Sequence, residues 1–556
     1  MILDNLWAAI NAVLELQTIF FMIVGVTAGL IAGAIPGFTI TMAVVLTLPF
    51  TFGMPPVQGL STMLAVFVGG LSGGLMSGTL TGIPGTPSSV ATTFDGFPMA
   101  RKGQPGLALG IGVWSSFFGG IISAVLLVTL APQLARLGLE FGPWDYFALV
   151  VFALTITASL AGENMVKGLI AGALGLLAAT IGEDDINGVA RFDFGIDSLR
   201  QGFSFLPVLI GLFAFSQLLH DIEDPVRAHT ALMPGRTKAV RVEHIKAIRE
   251  VFKRWVNLVR SSLIGLFVGI LPGAGGSISN ILAYDQAKKA SKTPELFGTG
   301  VADGIVPSEA ANNATAGGAL IMMMALGIPG DIVTAIMLGA LLIHDVIPSP
   351  SFISEEPVLA YGIFFAFFLA HFMMVGMQAF CLRIFVLVTR VPMYTLTAVI
   401  LAYCAIGVFS LNNVVFDIWT LFWFGIIGYT MRVLGFPLAP MILGVVLGNI
   451  AEVNLSRALA ISDDITLFLT RPWSLFFIIV GVFSAVFPWY QKYLGRRRWT
   501  LVFMPLLFIA VSGPLFLMQG WLRPAIGLAL LALGVFLLGR RARSGWRLGR
   551  DEREVQ

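Results

Sequence analysis

Two stretches of this chain place hydroxyl and carboxylate side chains directly behind a proline–glycine pair. They are "GIPGTPSSVATT", with Gly85, Thr86, Pro87, Ser88, Ser89 and Thr92, and "GIPGDIVTA", with Gly330, Asp331 and Thr334. Such side chains cap helix N-termini, so we predict one helix opening near Pro87 and another with Asp331 as its N-cap. Thr334 then corresponds to Ser89. The free N–H groups and the positive dipole end of a helix suit a carboxylate, so these residues, with the exception of Thr92, are our candidates for substrate binding.

A third polar stretch, "SEAANNATAGG", opens an apolar run and adds amides and a carboxylate. If it is helical, Glu309 and Asn313 share a face, with Asn312 beside them. One interpretation makes Asn312 and Asn313 substrate ligands and Glu309 an ion-coupling group. The other makes Ser308 an N-cap and Glu309 a favourable acid in the first turn. The two interpretations are compatible, and both are kept.

Two further breaks carry candidates for ion coupling. They are Pro36 and Gly37 in "GAIPG", and Gly273, Gly275, Gly276 and Ser277 in "PGAGGSIS". Hydroxyls, amides and bared carbonyls suit an anion and an alkali cation better than a transition metal. We therefore expect no cofactor and no metal beyond a possible Na⁺ site, with Na⁺ or H⁺ as the coupling ion. The absence of a convincing carboxylate pair favours Na⁺.

Two other ionisable residues receive structural roles at this stage. Asp95, in "FDGFP", is interpreted as a turn residue rather than a coupling carboxylate, because Asp, Gly and Pro favour turns. His371 is interpreted as a hydrogen-bonded core histidine rather than a proton relay.

These residues sit in a strongly apolar chain of 556 residues, with 57% hydrophobic and 12% charged residues and a mean hydropathy of +0.88. Soluble domains are about 25% charged. Continuous apolar runs long enough to cross a bilayer recur, and they exclude a barrel of alternating strands. The formal charge of +3 does not indicate nucleic-acid binding. We predict an all-α polytopic membrane protein.

An internal repeat orders the breaks. "GLIAGAIPG" at Gly29 returns as "GLFVGILPG" at Gly265, and "GIPG" at Gly82 returns at Gly327. "PVLIG" at 207–211 likewise resembles "PMILG" at 440–444. If the segment that ends at Pro36 is the first apolar segment, its match, which ends at Pro272, is the eighth. Seven crossings make the two matching segments enter the membrane from opposite sides, which predicts two inverted repeats. Their broken or re-entrant helices should meet near the membrane midplane, where secondary transporters bind substrate.

The predicted organisation has five parts. They are an amphipathic segment at 1–17, a first transmembrane repeat at 18–220, a basic connection at 221–260, a second transmembrane repeat at 261–490, and extra transmembrane segments with a basic tail at 491–556. By the positive-inside rule the connection and the tail should be cytoplasmic.

Several long motifs resemble one known family. "GTPSSVATTFDGFPMARKGQPGLALGIG", "GILPGAGGSISNILAYDQAKKASK" and "GFPLAPMILGVVLGNIAEVNLSRAL" closely resemble the large membrane subunit of the tripartite tricarboxylate transporters, from about Leu16 to Trp489. The resemblance implies a carrier of the bacterial inner membrane that works with a small membrane subunit and a periplasmic solute-binding protein. It implies import of a carboxylate, driven by an ion gradient.

Three other functions stay open on the residues alone. The first is a stand-alone ion-coupled carrier that needs no binding protein. The second is an intramembrane enzyme that uses Asp331 or Asp95 with a histidine. The third is a channel, although paired broken segments suit occlusion better than an open pore.

Overall fold

The structure is a computed structural model. It describes residues 2–35, 38–160, 164–184, 186, 188–223, 240–344, 346–388, 393–494, 496–543 and 545–546. The candidates Pro36 and Gly37, and most of the basic tail, lie outside the described residues.

Helices dominate the described part of the chain. In order they are α1 Ile2–Leu14, α2 Leu16–Ala34, α3 Ile40–Thr51, α4 Pro56–Thr81, α5 Val90–Arg101, α6 Pro105–Gly138, α7 Pro143–Leu160, α8 Met165–Ala179, α9 Asp197–Arg200, α10 Phe205–Ile210, α11 Ser216–Ile222, α12 His244–Phe252, α13 Trp255–Ile270, α14 Gly275–Ala290, α15 Ala302–Leu326, α16 Ile332–Ile343, α17 Phe352–Glu355, α18 Pro357–Val388, α19 Met393–Asn412, α20 Val415–Val433, α21 Leu438–Ile461, α22 Leu467–Thr470, α23 Pro472–Tyr493, α24 Thr500–Leu517 and α25 Leu522–Arg543.

Shorter elements complete the described chain. Two 3₁₀ turns lie at Pro87–Ser89 and Pro294–Leu296, and a π-helical turn at Gly211–Phe215 joins α10 to α11. One small antiparallel ribbon pairs β1 (Gly182–Glu183) with β2 (Ala190–Arg191), with Gly182 opposite Arg191.

Long apolar helices confirm the predicted fold class. Among the described residues, nine helices are long and apolar enough to cross a membrane: α2, α4, α6, α7, α18 (as Pro357–Leu382), α21, α23, α24 and α25. Several others, including α3, α8, α13 and α16, are apolar but shorter. Helix α13 begins at Trp255, inside the predicted basic connection. The chain is an all-α polytopic membrane protein.

The chain divides into two compact units. The first comprises 1–139 and 203–434, and the second comprises 140–202 and 435–556. In the first unit α15 is the central helix, and it packs against α6, α13, α14 and α5. Every residue from Gly304 to Leu326 is buried. In the second unit α7 and α8 pack against α21, and α23 to α25 pack in sequence.

The matched glycine motifs make matched contacts within the first unit. A methyl group added to Gly33 of α2 would lie 2.2 Å from the carbonyl oxygen of Gly70 on α4. One added to Gly269 of α13 would lie 2.1 Å from that of Thr315 on α15. The offsets are 236 residues from Gly33 to Gly269 and 245 from Gly70 to Thr315. Glycine is required at both places because the helices approach backbone to backbone.

The third sequence match has the same packing role in each unit. In the first unit, a methyl group on Gly211 would lie 2.5 Å from the carbonyl oxygen of Leu421. In the second unit, one on Gly444 would lie 2.4 Å from that of Gly172. Each glycine therefore admits a close helix–helix contact at the same position of its motif.

Candidate functional site

The first GIPG sequence ends a long helix and starts a new one. Helix α4 closes on Gly82, whose φ of 77° places it in the left-handed region that favours glycine. After the break, Thr86 and Ser89 form a capping box around the 3₁₀ turn, and the N–H of Thr86 donates to Ser89 Oγ at 3.4 Å. The predicted helix opening near Pro87 is confirmed.

The second GIPG sequence repeats this geometry. Helix α15 closes on Gly327, with a φ of 70°. Asp331 is the N-cap of α16: its Oδ1 accepts from the Thr334 N–H at 2.8 Å, and Thr334 Oγ1 accepts from the Asp331 N–H at 3.0 Å. The prediction that Asp331 caps a helix and that Thr334 corresponds to Ser89 is confirmed.

Both breaks are clamped by glycine. A methyl group on Gly85 would lie 2.2 Å from the carbonyl oxygen of Gly33. A methyl group on Gly330 would lie 2.3 Å from that of Gly269. Gly33 and Gly269 are themselves the matched residues of the first motif. Each broken segment therefore packs directly on the backbone of the first helix of its repeat, α2 or α13, and a side chain at the contact would not fit.

Residues from the two halves of the sequence meet at Gly276. A methyl group there would lie 2.9 Å from Cβ of Ser88 and 2.8 Å from Oδ1 of Asn312. The break that precedes Gly276 contacts the second GIPG sequence, because the Gly273 N–H donates to the Gly330 carbonyl at 2.9 Å. The three described breaks thus converge.

The remaining candidates surround this junction. A methyl group on Gly275 would lie 4.0 Å from Cβ of Asp331. Ser277 is half-buried in the first turn of α14. Asn313 is buried and donates to Ser72 Oγ at 3.0 Å, so its side chain binds α4.

The amide of Asn312 leaves one free acceptor at the junction. Its Nδ2 donates to the Leu71 carbonyl at 3.0 Å, and a carbonyl can only accept, so the opposite atom must be the oxygen. That Oδ1, which lies beside Gly276 and Ser88, is buried and has no hydrogen-bond partner among the residues that the structure describes. Buried polar atoms are normally paired, so an unpaired one marks a place for a ligand or a water molecule.

Sequence reasoning missed Asn280 of α14. Its Oδ1 accepts from the backbone N–H of Ala91 at 3.2 Å, which leaves Nδ2 as a buried donor with no partner. The preceding residue, Ser279, has its Oγ 2.6 Å from Thr315 Oγ1. The sequence did contain a sign of this residue, because an amide, Asn280, directly follows the candidate motif "GAGGSIS".

The N-cap interpretation of Ser308 and Glu309 is wrong. Helix α15 begins at Ala302, with Pro307 inside it, so Glu309 lies about two turns into the helix. Its carboxylate accepts from Thr92 Oγ1 at 2.5 Å and from Ser116 Oγ at 2.7 Å. A charged cluster holds the true start of α15, where Arg254 pairs with Asp303 at 2.7 Å. Hydrogen bonds from Lys253 and then Arg254 lower the pKa of Glu250, which belongs to that cluster.

The turn interpretation of Asp95 is also wrong, because Asp95 lies inside α5 and is buried. Its carboxylate accepts from the backbone N–H groups of Gly298, Gly300 and Val301 at 2.7 to 3.1 Å. The hydroxyl of Tyr284 donates at 2.9 Å. Asp95 therefore connects α5 by hydrogen bonds to the loop that precedes α15.

The junction of the three breaks is polar. Hydroxyls, amides and a helix N-terminus surround the junction. Within the described ranges, no group of three or more His, Cys, Asp and Glu residues could hold a metal ion. Polar, irregular backbone at membrane depth is tolerated where it is buried in protein or lines a water-filled cavity. Fold and site together define a multi-pass membrane transporter.

Comparisons with known proteins give the family. The model of the tripartite tricarboxylate transporter TctA family matches residues 19–443. An uncharacterized 52.8 kDa protein in the TAR-I ttuC' 3'region of Agrobacterium vitis is 33% identical over 487 residues, covering 87% of this chain and 96% of that protein. An uncharacterized protein in the TAR-II ttuC' 3'region of the same organism is 33% identical over 223 residues, covering 40% of this chain and 92% of that protein. No solved structure matches.

The chain belongs to the TctA family of tripartite tricarboxylate transporters. This is a family of transporters, so the protein is not an enzyme. The intramembrane-enzyme alternative is thereby overturned. The two aspartates on which it rested bind backbone N–H groups, Asp331 as a helix cap and Asp95 as a fastener between segments.

Proposed function

We propose that this protein is the large membrane subunit of a binding-protein-dependent system that imports tricarboxylates or related carboxylates. A cation gradient, of Na⁺ or H⁺, drives uptake. A small membrane subunit and a periplasmic solute-binding protein complete the system in the bacterial inner membrane. The 221–260 connection and the C-terminal tail lie in the cytoplasm, as their arginines favour.

One observation carries the proposal: Ser88, Gly276 and the free Oδ1 of Asn312 meet where three broken segments converge. The capping box at Thr86 begins the helical turn that contains Ser88, so a helix N-terminus lies at this junction. A helix N-terminus with adjacent hydroxyls stabilises a carboxylate. The lone acceptor of Asn312 fits a hydrogen-bond donor of the same ligand or a bound cation.

The matched breaks support alternating access through an inverted repeat. Gly85 and Gly330 press against corresponding carbonyls, and Gly82 and Gly327 end corresponding helices with the same left-handed conformation. Secondary transporters place their substrate between such paired discontinuous helices.

Reconstitution tests this function. We expect vesicles that contain both membrane subunits to accumulate a labelled tricarboxylate or dicarboxylate only with the matching binding protein and an inward cation gradient. Uptake should saturate, and preloaded substrate should exchange with external label. Gradient-driven uptake by the large subunit alone would instead establish the stand-alone carrier. Flux that neither saturates nor exchanges would establish a channel.

A further inference from the structure

Two buried carboxylates on neighbouring elements have opposite surroundings. Asp95 accepts hydrogen bonds from three backbone N–H groups, which can donate but cannot accept. Glu309 accepts from two hydroxyls, those of Thr92 and Ser116, and from the side-chain amide of Asn312. Hydroxyls can donate or accept. Apart from the Tyr284 hydroxyl, the partners of Asp95 can therefore only donate, whereas the two hydroxyls beside Glu309 can donate to its anion or accept from its protonated form.

Burial makes the charge of Glu309 hard to maintain. Its side chain is 0% exposed, and in the described part of the chain no salt bridge includes it. An unpaired charge in an apolar interior is strongly disfavoured, and such groups neutralise instead. A buried carboxylate whose charge changes during transport therefore binds and releases a proton.

Among the described residues, no salt bridge joins Glu309 to an ionisable group on the helices around α15. Arg254 pairs with Asp303 and Glu250, and Lys289 of α14 pairs with Asp285. The others are Asp95 and Arg101 of α5, Arg136 of α6, His244, Lys246 and Arg249 of α12, Arg260 of α13, Tyr284 and Lys288 of α14, and Glu355 of α17.

Two of the surrounding groups lie beside the helices whose hydroxyls bind Glu309, Asp95 within α5 and His371 against α6. Asp95 lies one helical turn beyond Thr92 on α5. His371 of α18 packs against Gly120, one turn beyond Ser116 on α6, and its Nδ1 donates to the Phe367 carbonyl at 2.8 Å. Neither group supplies a cation that would pair with the anion.

We propose that Glu309 is the proton carrier of this transporter, so that H⁺ rather than Na⁺ is the coupling ion. This inference rests on the proposed function as an ion-coupled importer. It reverses the preference for Na⁺ that the absence of a carboxylate pair gave.

The proton step balances within three side chains. In the anion, the Thr92 and Ser116 hydroxyls donate to the two carboxylate oxygens. When one proton binds to a carboxylate oxygen from the outside, the new O–H donates to one hydroxyl oxygen. The hydrogen of that hydroxyl turns to a backbone carbonyl one turn earlier in its own helix, as serine and threonine do in helices. Release of the proton to the inside restores the anion.

The test uses proteoliposomes with the complete system, in which gradient-driven uptake and gradient-free exchange are measured separately. We expect an inward H⁺ gradient without Na⁺ to drive accumulation by the wild type. Glu309→Gln imitates the protonated form, so we expect it to lose accumulation but keep exchange, with exchange independent of pH. Glu295→Gln, on an exposed turn, is the matched control and should behave like the wild type.

The outcomes separate the two proposals. No exchange by the wild type would overturn the proposed function itself. Exchange together with accumulation driven by Na⁺ alone would overturn only the role of Glu309, as would H⁺-driven accumulation by Glu309→Gln.

A spectroscopic measurement covers the case in which the variant does not fold. In wild-type protein carrying ¹³C-labelled glutamate, the acid-minus-alkaline infrared difference spectrum should show the carbonyl band of a protonated glutamic acid in an apolar site. The band should be absent in Glu309→Gln where that variant folds. A wild-type spectrum without this band would rule out the proton carrier.

Discussion

The two broken segments form half-sites with the same backbone and different chemistry. The first half-site consists of Ser88, Gly276 and Asn312. The repeat offsets of 245 and 236 residues place Val333, Ile40 and Phe67 at the corresponding positions, which define the second half-site. These three apolar side chains are buried, Phe67 to 1% exposure. Helix α16 packs against α3 and α4 there, as the first capping box packs against α14 and α15.

The difference separates what the repeat preserves from what it leaves free. Backbone contacts through Gly33 and Gly269 are the same in both halves, because neither pair of helices tolerates a side chain at the contact. Side chains that face the junction are not held by these contacts, so they differ. Polar side chains are concentrated in the first half-site, and the second has apolar packing and a capped helix.

The largest expected effect tests the shared backbone. We expect Gly85→Ala and Gly330→Ala each to destabilise the protein by about 3 kcal/mol, because each methyl group overlaps a backbone carbonyl that cannot move independently. Thermal unfolding in detergent measures this. Gly376→Ala on α18, where nothing lies within 4 Å of the added methyl group, is the control and should be close to neutral. A clear difference between Gly85→Ala and Gly330→Ala would contradict equivalent packing.

An intermediate effect tests the chemical difference. We expect Ser88→Ala and Asn312→Ala to lower substrate transport roughly 10-fold or more, since a hydrogen bond to a charged ligand contributes about 1.5 to 3 kcal/mol. Val333→Ala should lower thermal stability while leaving transport per folded molecule unchanged. Uptake in proteoliposomes, normalised to folded protein, distinguishes the three variants. Equal loss of transport in Val333→Ala would mean that both half-sites bind substrate.

The smallest effect concerns the two capping boxes. Thr86→Ala and Asp331→Ala should each reduce the free energy of unfolding by about 1 kcal/mol, the usual contribution of an N-cap. Asp331→Asn should retain stability, because asparagine caps as well as aspartate. Normal transport by Asp331→Asn would assign Asp331 a purely structural role, whereas a loss of transport would show that its charge acts on the ligand. Calorimetry and uptake measured on the same preparations decide this.

Local signals predicted several parts of this molecule well. The capping boxes at Thr86 and Asp331 depend on residues only three positions apart, so the sequence contains everything that they need. The apolar helices follow from composition in the same way. The matched glycines were visible because close helix packing removes side chains at fixed spacing.

Asp95 shows where local reasoning fails. Aspartate, glycine and proline in "FDGFP" are typical of a turn, yet the segment is helical through Arg101. The N–H groups that hold the carboxylate belong to Gly298, Gly300 and Val301, about 200 positions away in the chain. Burial with four satisfied donors outweighs a modest local preference. The start of α15 was misplaced similarly, because tertiary packing continues the helix through Pro307.

By itself the sequence determined the membrane class, the family, the positions of the breaks and the polar residues behind them. These follow from composition, spacing and hydrogen bonds within one turn. Only the tertiary structure decided that Ser88, Gly276 and Asn312 meet. It also decided that, within the described part of the chain, Asn312 keeps an unpaired acceptor and Glu309 binds hydroxyls but no cation. These facts depend on which groups, distant in the sequence, form hydrogen bonds with each polar side chain. Those partners are determined only when the helices pack together.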